Sequence, residues 1–138
     1  YYHPIYSKPY KISNVAFKGK IYVLINGGSF SASSIISSDL KGSKRAVFVG
    51  EETGGAYNGT VAGNMPVIKL PKSNIKIRMG LMLIAPYYKT NIVGHGIFPD
   101  KEIIPTLEDR IKGNDPEMDW ILNDIQSNKS ITTDSANK

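Results

Sequence analysis

Cysteine is absent from the 138 residues, which excludes a disulfide scaffold, thiolate chemistry and every Cys-based zinc or iron–sulfur site. Histidine is scarce. With His3 and His95 alone, a three-histidine metal centre cannot be built from this chain, and no cofactor is implied. Long apolar runs are also missing: stretches such as Leu81 to Ala85 fall far short of the roughly 20 residues a membrane helix needs. No transmembrane segment is expected. No basic n-region with an apolar core opens the chain, so no signal peptide is visible. What remains is ordinary. Hydrophobic residues make up 41% and charged residues 21%, which excludes collagen-like, mucin-like and wholly disordered chains. The length allows one domain, since a compact domain takes about 100–150 residues.

The net charge of +5, from 17 Lys and Arg against 12 Asp and Glu, raises a nucleic-acid reading, because clustered cations neutralise phosphates. The cations here are scattered. The densest group is Lys41, Lys44 and Arg45, and Lys18, Lys20, Lys69, Lys72 and Lys76 stand apart. No recognition-helix or RNA-binding aromatic pattern accompanies them, so a solvated basic surface is expected, with no nucleic-acid partner.

Three stretches divide the chain. Residues 1–13 hold four Tyr and two Pro with no clean periodicity and read as a lead-in from an upstream segment. Residues 14–127 carry the periodic elements, and 128–138 is a polar tail expected to fray after Ser127. Within the core, Ile21 to Ile25 is a continuous β-branched and aromatic run ending in Asn26-Gly27-Gly28, the signature of a buried parallel strand. Ser29 to Leu40 follows helical spacing, with Ala32, Ile35, Ile36 and Leu40 on one side and Gly42 placed for a left-handed stop. Arg45 to Gly50 is a second buried strand, completing a βαβ unit. Glu51 to Gly63 is a glycine-rich loop, and long loops of this kind are often functional. Strands near Met65–Leu70 and Ile75–Ala85 flank a turn at 71–74. Asn91 to Asp100 reads as a loop and Glu102 to Ile104 as a short strand. Thr106 caps a helix from Leu107 to Lys112 that Gly113 ends, and Asp115-Pro116 starts another with Met118, Ile121, Leu122 and Ile125 at helical spacing.

The corner Asn26-Gly27-Gly28-Ser29-Phe30-Ser31-Ala32-Ser33-Ser34 carries the strongest chemical signal. A serine that opens a helix is usually a cap, its hydroxyl accepting a backbone N–H. One cap suffices, however, and this corner has four serines within six residues. The same geometry serves catalysis, because free N–H groups at a helix start stabilise an oxyanion beside an attacking hydroxyl. The pattern is not the Gly-x-Ser-x-Gly elbow of the α/β-hydrolases.

Three segments together resemble the tail-specific, or C-terminal-processing, serine peptidases and their tricorn-like and retinoid-binding relatives. They are Tyr22 to Ser33, Arg45 to Gly55, and Gly94-His95-Gly96-Ile97-Phe98-Pro99-Asp100, in the family's order. The resemblance implies an α/β fold of the ClpP/crotonase-like ββα spiral type, of which this chain is the C-terminal portion of the catalytic domain. It implies peptide hydrolysis through an acyl-enzyme, with Ser31 as nucleophile, the Ala32 N–H as one oxyanion donor and Gly54-Gly55 bordering the substrate cleft. A polypeptide substrate, export to the bacterial periplasm or envelope, and an upstream part of the parent chain as partner follow from the same likeness. The second oxyanion donor has no counterpart in these residues.

The general base stays open. Tail-specific members place a lysine after Gly-Glu-x-Thr-x-Gly, and here Ala56 stands there. Lys41 lies ten residues past Ser31, about 15 Å along a helix and out of reach. The tricorn-like branch takes a histidine from upstream and an acid from just before the Pro-Asp signature, where this chain has Asn91-Ile92-Val93. His95 is of the right type, although a loop histidine between two glycines has an ordinary structural explanation. The isolated chain is therefore expected to be inactive. Two other classes compete: an inactive peptide- or apolar-ligand-binding module on the same scaffold, favoured by the missing lysine and acid, and a basic nucleic-acid-binding domain. Glu51-Glu52 and Tyr87-Tyr88 rank below these as an acid–base pair and as groove aromatics.

Overall fold

A computed structural model describes residues 13–134 of the chain, with side chains through residue 128; the lead-in, apart from Ser13, and the last four residues lie outside. The first strand, β1 (Tyr22–Ile25), leads through the serine corner to helix α1 (Ala32–Gly42) and then to β2 (Val47–Gly50). The two strands pair in parallel, with Tyr22 opposite Val47 and Ile25 opposite Gly50. A much later strand, β7 (Lys101–Glu102), pairs in parallel on the other side of β2, giving the order β1-β2-β7. The expected βαβ unit is present, and the chain is α/β. The centre of the sheet forms the core: Phe48, Val49 and Ile97 are fully buried and Ile25 nearly so, with Val23, Leu40, Ala46 and Tyr57 packed round them.

Helix α1 departs from its apolar periodicity. The residues it buries are Ser34, Ser37 and Ser38, whereas Ile36 is 62% exposed. Small side chains let the helix approach the glycine-rich loop closely. The Ser38 hydroxyl bonds the carbonyls of Ser34 and Tyr57, both at 2.8 Å, so the buried polar atom is satisfied. The helix stop also differs. Gly42 is helical, and Lys44 takes the left-handed conformation at φ 55. Bonds from Lys44 N–H to Lys41 O and from Arg45 N–H to Leu40 O complete a Schellman closure. Gly42 is needed for a different reason: a Cβ there would run into the Tyr88 side chain.

The loop expected at 51–63 contains a strand, β3 (Thr60–Ala62), and the strand expected at 75–85 is two. After β4 (Val67–Lys69), strands β5 (Lys76–Arg78) and β6 (Met82–Ile84) pair antiparallel with β4 and β3 respectively. Bonds from Leu81 N–H to Asn64 O and Met79 N–H to Pro66 O continue the ladder between them, so the four segments form one long interrupted ribbon. Its interruption has clear causes: Pro66 has no N–H to donate, Gly63 is left-handed at φ 72, and Gly80 packs against Val61 without room for a Cβ. Asn74 takes φ 58 in the turn, a conformation its short amide tolerates.

Helix α2 (Leu107–Lys112) has the expected cap, with the Thr106 hydroxyl accepting the Asp109 N–H and the Asp109 carboxylate accepting the Thr106 N–H, and it ends on left-handed Gly113. Helix α3 (Pro116–Asp134) starts on Asp115, whose carboxylate accepts the Met118 N–H at 2.8 Å. It does not stop at Ser127, because helical backbone continues to Asp134. Side chains of Ser127 and Asn128 bond the carbonyls of Asn123 and Asp124 one turn back. Of its apolar set only Ile121 is buried; Met118 and Leu122 stay exposed.

Candidate active site

Strand β1 meets its helix through a turn that Asn26 ties together. Its side-chain oxygen accepts the Gly28 N–H at 2.8 Å, its carbonyl accepts the Ser29 N–H at 2.8 Å, and its own N–H donates to the Ser29 hydroxyl at 3.3 Å. A Cβ on Gly28 would press against the Asn26 side-chain oxygen, whereas Gly27 stands in open space. The structure apportions the four serines. Ser29 belongs to this turn. Ser34 is buried and donates to the Ser29 carbonyl at 3.1 Å. Ser31 and Ser33 are exposed.

Ser31 occupies the N-cap position of α1 but does not cap it. Its backbone sits at φ 54, ψ −113, and its hydroxyl makes no capping hydrogen bond. A capping serine has extended backbone and a bonded hydroxyl; this one has neither. Such a conformation costs about 1–3 kcal/mol and persists only where its surroundings impose it. Its carbonyl still accepts the Ile35 N–H, so the helix is intact. Ala32 is the first residue of α1, so its N–H has no acceptor within the helix. An exposed hydroxyl and a free helix-start amide therefore stand side by side. The helix thus begins at Ala32 rather than at the expected Ser29.

The glycine-rich loop lies directly against this corner. Gly55 N–H donates to the Ser29 carbonyl at 3.0 Å. A Cβ on Gly54 would collide with the Gly27 carbonyl and the Phe30 ring, and one on Gly55 with the Ser34 hydroxyl. Both positions therefore require glycine for close approach. Gly54 is exposed and Gly55 buried.

The third segment locks onto the same loop. Buried Thr53 is the clasp: its hydroxyl donates to the Gly55 carbonyl and accepts the Ile97 N–H, each at 2.8 Å, while its N–H donates to the Ile97 carbonyl. Asp100 anchors the far end, accepting the Phe48 N–H at 2.8 Å, donating its own N–H to the Phe48 carbonyl and pairing with Lys41. Lys41 is thereby committed to Asp100, away from Ser31.

Between loop and third segment lies a cleft of about 370 Å³, walled by Glu52, Thr53, Gly54, Ala56, His95 and Gly96. Ser31 is not one of its walls; the cleft and the serine corner meet at Gly54. Glu52 spans the two segments, accepting the Gly96 N–H at 2.7 Å and facing His95 Nδ1 at 3.1 Å through the same oxygen. This pairing was not readable from sequence. Glu51-Glu52 stood out only as adjacent acids, and nothing in the spacing linked Glu52 to a histidine 43 residues later. The Tyr87-Tyr88 pair, stacked edge to face, hangs from the Asp39 carboxylate by its amides and lies against α1 at Gly42.

Among the described residues no group of three or more His, Asp or Glu side chains is placed to hold a metal ion, and no helix is long and apolar enough to cross a membrane. Residues 2–103 match the sequence profile of peptidase family S41. Over 105 residues the chain is 33% identical to a carboxy-terminal-processing protease of Bartonella bacilliformis, an alignment covering 76% of this chain and 23% of that protein. The chain thus spans about a quarter of the curated relative it matches. With all three motif segments inside the matched range, the chain belongs to peptidase family S41, the tail-specific serine peptidases.

Proposed function

We propose that the chain is the nucleophile-bearing, C-terminal portion of a serine peptidase catalytic domain with a crotonase-like ββα spiral. Ser31 attacks the scissile carbonyl, and the Ala32 N–H stabilises the oxyanion that develops. Gly54 and Gly55 border the cleft in which the polypeptide lies. The observation that carries this reading is the backbone of Ser31: a strained residue, exposed, at a helix start, with its hydroxyl excluded from the cap it would normally make. The remainder of the parent chain supplies the second oxyanion donor, and the whole protein acts after export to the periplasm or envelope.

The full-length protein should hydrolyse an unstructured polypeptide and react with a fluorophosphonate probe at Ser31. Ser31→Ala should abolish labelling and lower peptide turnover at least about 1,000-fold, as losing a nucleophile does. Full turnover by the alanine variant would exclude the assignment. A second reading, an inactive peptide- or apolar-ligand-binding module, draws support from Ala56, which presents only a methyl group to the cleft where tail-specific relatives carry a lysine. That reading expects ligand binding with no probe labelling at all.

A further inference from the structure

His95 is the one histidine among the described residues, and the fold holds it in a defined orientation. On one side Gly94 takes φ +83; on the other, a Cβ on Gly96 would collide with Thr53. The His95 carbonyl accepts the Tyr57 N–H at 3.1 Å, and the ring lies 5.2 Å from that of Phe98. The backbone is thus held by a hydrogen bond and the ring by its contacts with Phe98 and Glu52.

The pairing with Glu52 also fixes the tautomer. Glu52 Oε1 already accepts the Gly96 N–H, and an ionised carboxylate can only accept. Opposite an ionised Glu52, His95 Nδ1 is assigned as the protonated nitrogen, donating across 3.1 Å. Nε2 is left with its lone pair free, the form a general base requires. His95 and Glu52 both wall the cleft whose Gly54 edge abuts the serine corner through Gly27 and Phe30. Ala56, also a wall of that cleft, contributes only a methyl group to it.

We propose that His95, oriented by Glu52, is the general base for Ser31, an inference that rests on the peptidase reading above. As the Ser31 Oγ–carbon bond forms, His95 Nε2 takes the hydroxyl proton. When the tetrahedral intermediate collapses, the scissile C–N bond breaks and the same proton passes to the leaving amine. Water then enters, gives a proton to Nε2, and its oxygen displaces Ser31 from the acyl carbon, the proton returning to Oγ. Glu52 is a positioning residue that holds the ring and stabilises the imidazolium. Catalytic hydrogen bonds tighten once substrate fills a site, and the cleft is open to receive one.

The test is the rate of fluorophosphonate labelling at Ser31 in the full-length protein, measured for wild type, His95→Ala, His95→Gln, Glu52→Gln and Ser31→Ala. A general base contributes roughly 100- to 10,000-fold, so both His95 variants should label at least 100-fold more slowly. The glutamine can still donate to Glu52 and keep the loop in place, which separates lost chemistry from lost folding. Free imidazole should restore labelling to His95→Ala and not to Ser31→Ala. Glu52→Gln should be slower by about tenfold, with its pH–rate profile displaced. Labelling of His95→Gln within threefold of wild type, or no rescue of His95→Ala by imidazole, overturns the role of His95 and leaves Ser31 standing. Wild-type protein that takes no label, or a Ser31→Ala variant that still does, overturns the peptidase reading itself.

Discussion

The Thr53 hydroxyl joins the glycine-rich loop to the third segment, and both of its hydrogen bonds are to backbone groups in a buried place. Replacing it by valine keeps the shape and strands a carbonyl and an N–H. A buried group left without its partner costs about 1–3 kcal/mol, so Thr53→Val should lower the unfolding free energy by roughly that amount in urea titrations of the full-length protein. It should also slow any reaction at Ser31, because Gly54 and Gly55 would lose their hold on the corner; unchanged stability would mean that the clasp carries no weight. At this scale the sequence was only partly legible. Ser31 and Ala32 stood out from their motif, but the strained backbone of Ser31 depends on the Asn26 turn and on the loop behind it. No propensity of serine foretells φ 54. Lys44 makes a related point, since the local Schellman closure put a lysine in the left-handed position while Gly42 is kept for contact with Tyr88.

Among the elements, α3 is fastened to β1 by a polar cluster. Asp124 accepts from Lys20 at 2.6 Å and from the Tyr22 hydroxyl through the same oxygen, and the lysine lies over the tyrosine ring. The Lys20 hydrogen bond, followed by that of Tyr22, holds the Asp124 carboxyl below its ordinary 3.8. The bond to Asp124 raises Lys20 above 10.5. Burial, then the bond to Asp124, raises Tyr22 above 10.0. A depressed acid gives stability that is complete above its unfolded value and fades as pH falls through the folded one; raised values act below about 10 and fade as pH climbs. The fastening should hold from about pH 4 to 10 and loosen outside it. Trp120, the single tryptophan of this chain, sits on α3 and reports it: its emission should shift below pH 4, and in Asp124→Asn the acid-side shift attributable to this cluster should vanish. An identical acid transition in that variant would place the effect elsewhere. Strands β1 and β2 were legible from their continuous apolar runs, but the buried setting expected of both holds for β2 alone, since β1 lies at the edge of the described sheet and leaves Leu24 47% exposed. The face of α1 was not, because buried serines and an exposed Ile36 invert the usual periodicity. Strand β3 hid among glycines, its partner supplied by residues 20 to 24 positions away.

For the molecule as a whole, the described residues leave much apolar surface in water. Along the ribbon Val67, Ile68, Ile77, Met82, Leu83 and Ile84 are all exposed, Leu83 at 72%. Two-stranded ribbons are marginal in water without a surface to pack on, and contiguous apolar patches of this kind mark interaction sites. Residues 13–134 produced alone should therefore bind a hydrophobic dye strongly and self-associate, whereas the full-length protein should do neither; a monomeric, dye-silent fragment in size-exclusion chromatography would contradict this. Part of the +5 charge lies on this surface too. Lys20, Lys41 and Lys112 pair with Asp124, Asp100 and Glu108, whereas the ribbon sets Lys69 opposite Lys76 and carries Arg78 beside them. The strained Ser31 corner has a last consequence. Its geometry exists only where the Asn26 turn, the glycine-rich loop and the helix meet, so, if Ser31 is the nucleophile proposed above, a chain that has not finished folding carries no more than an ordinary alcohol there.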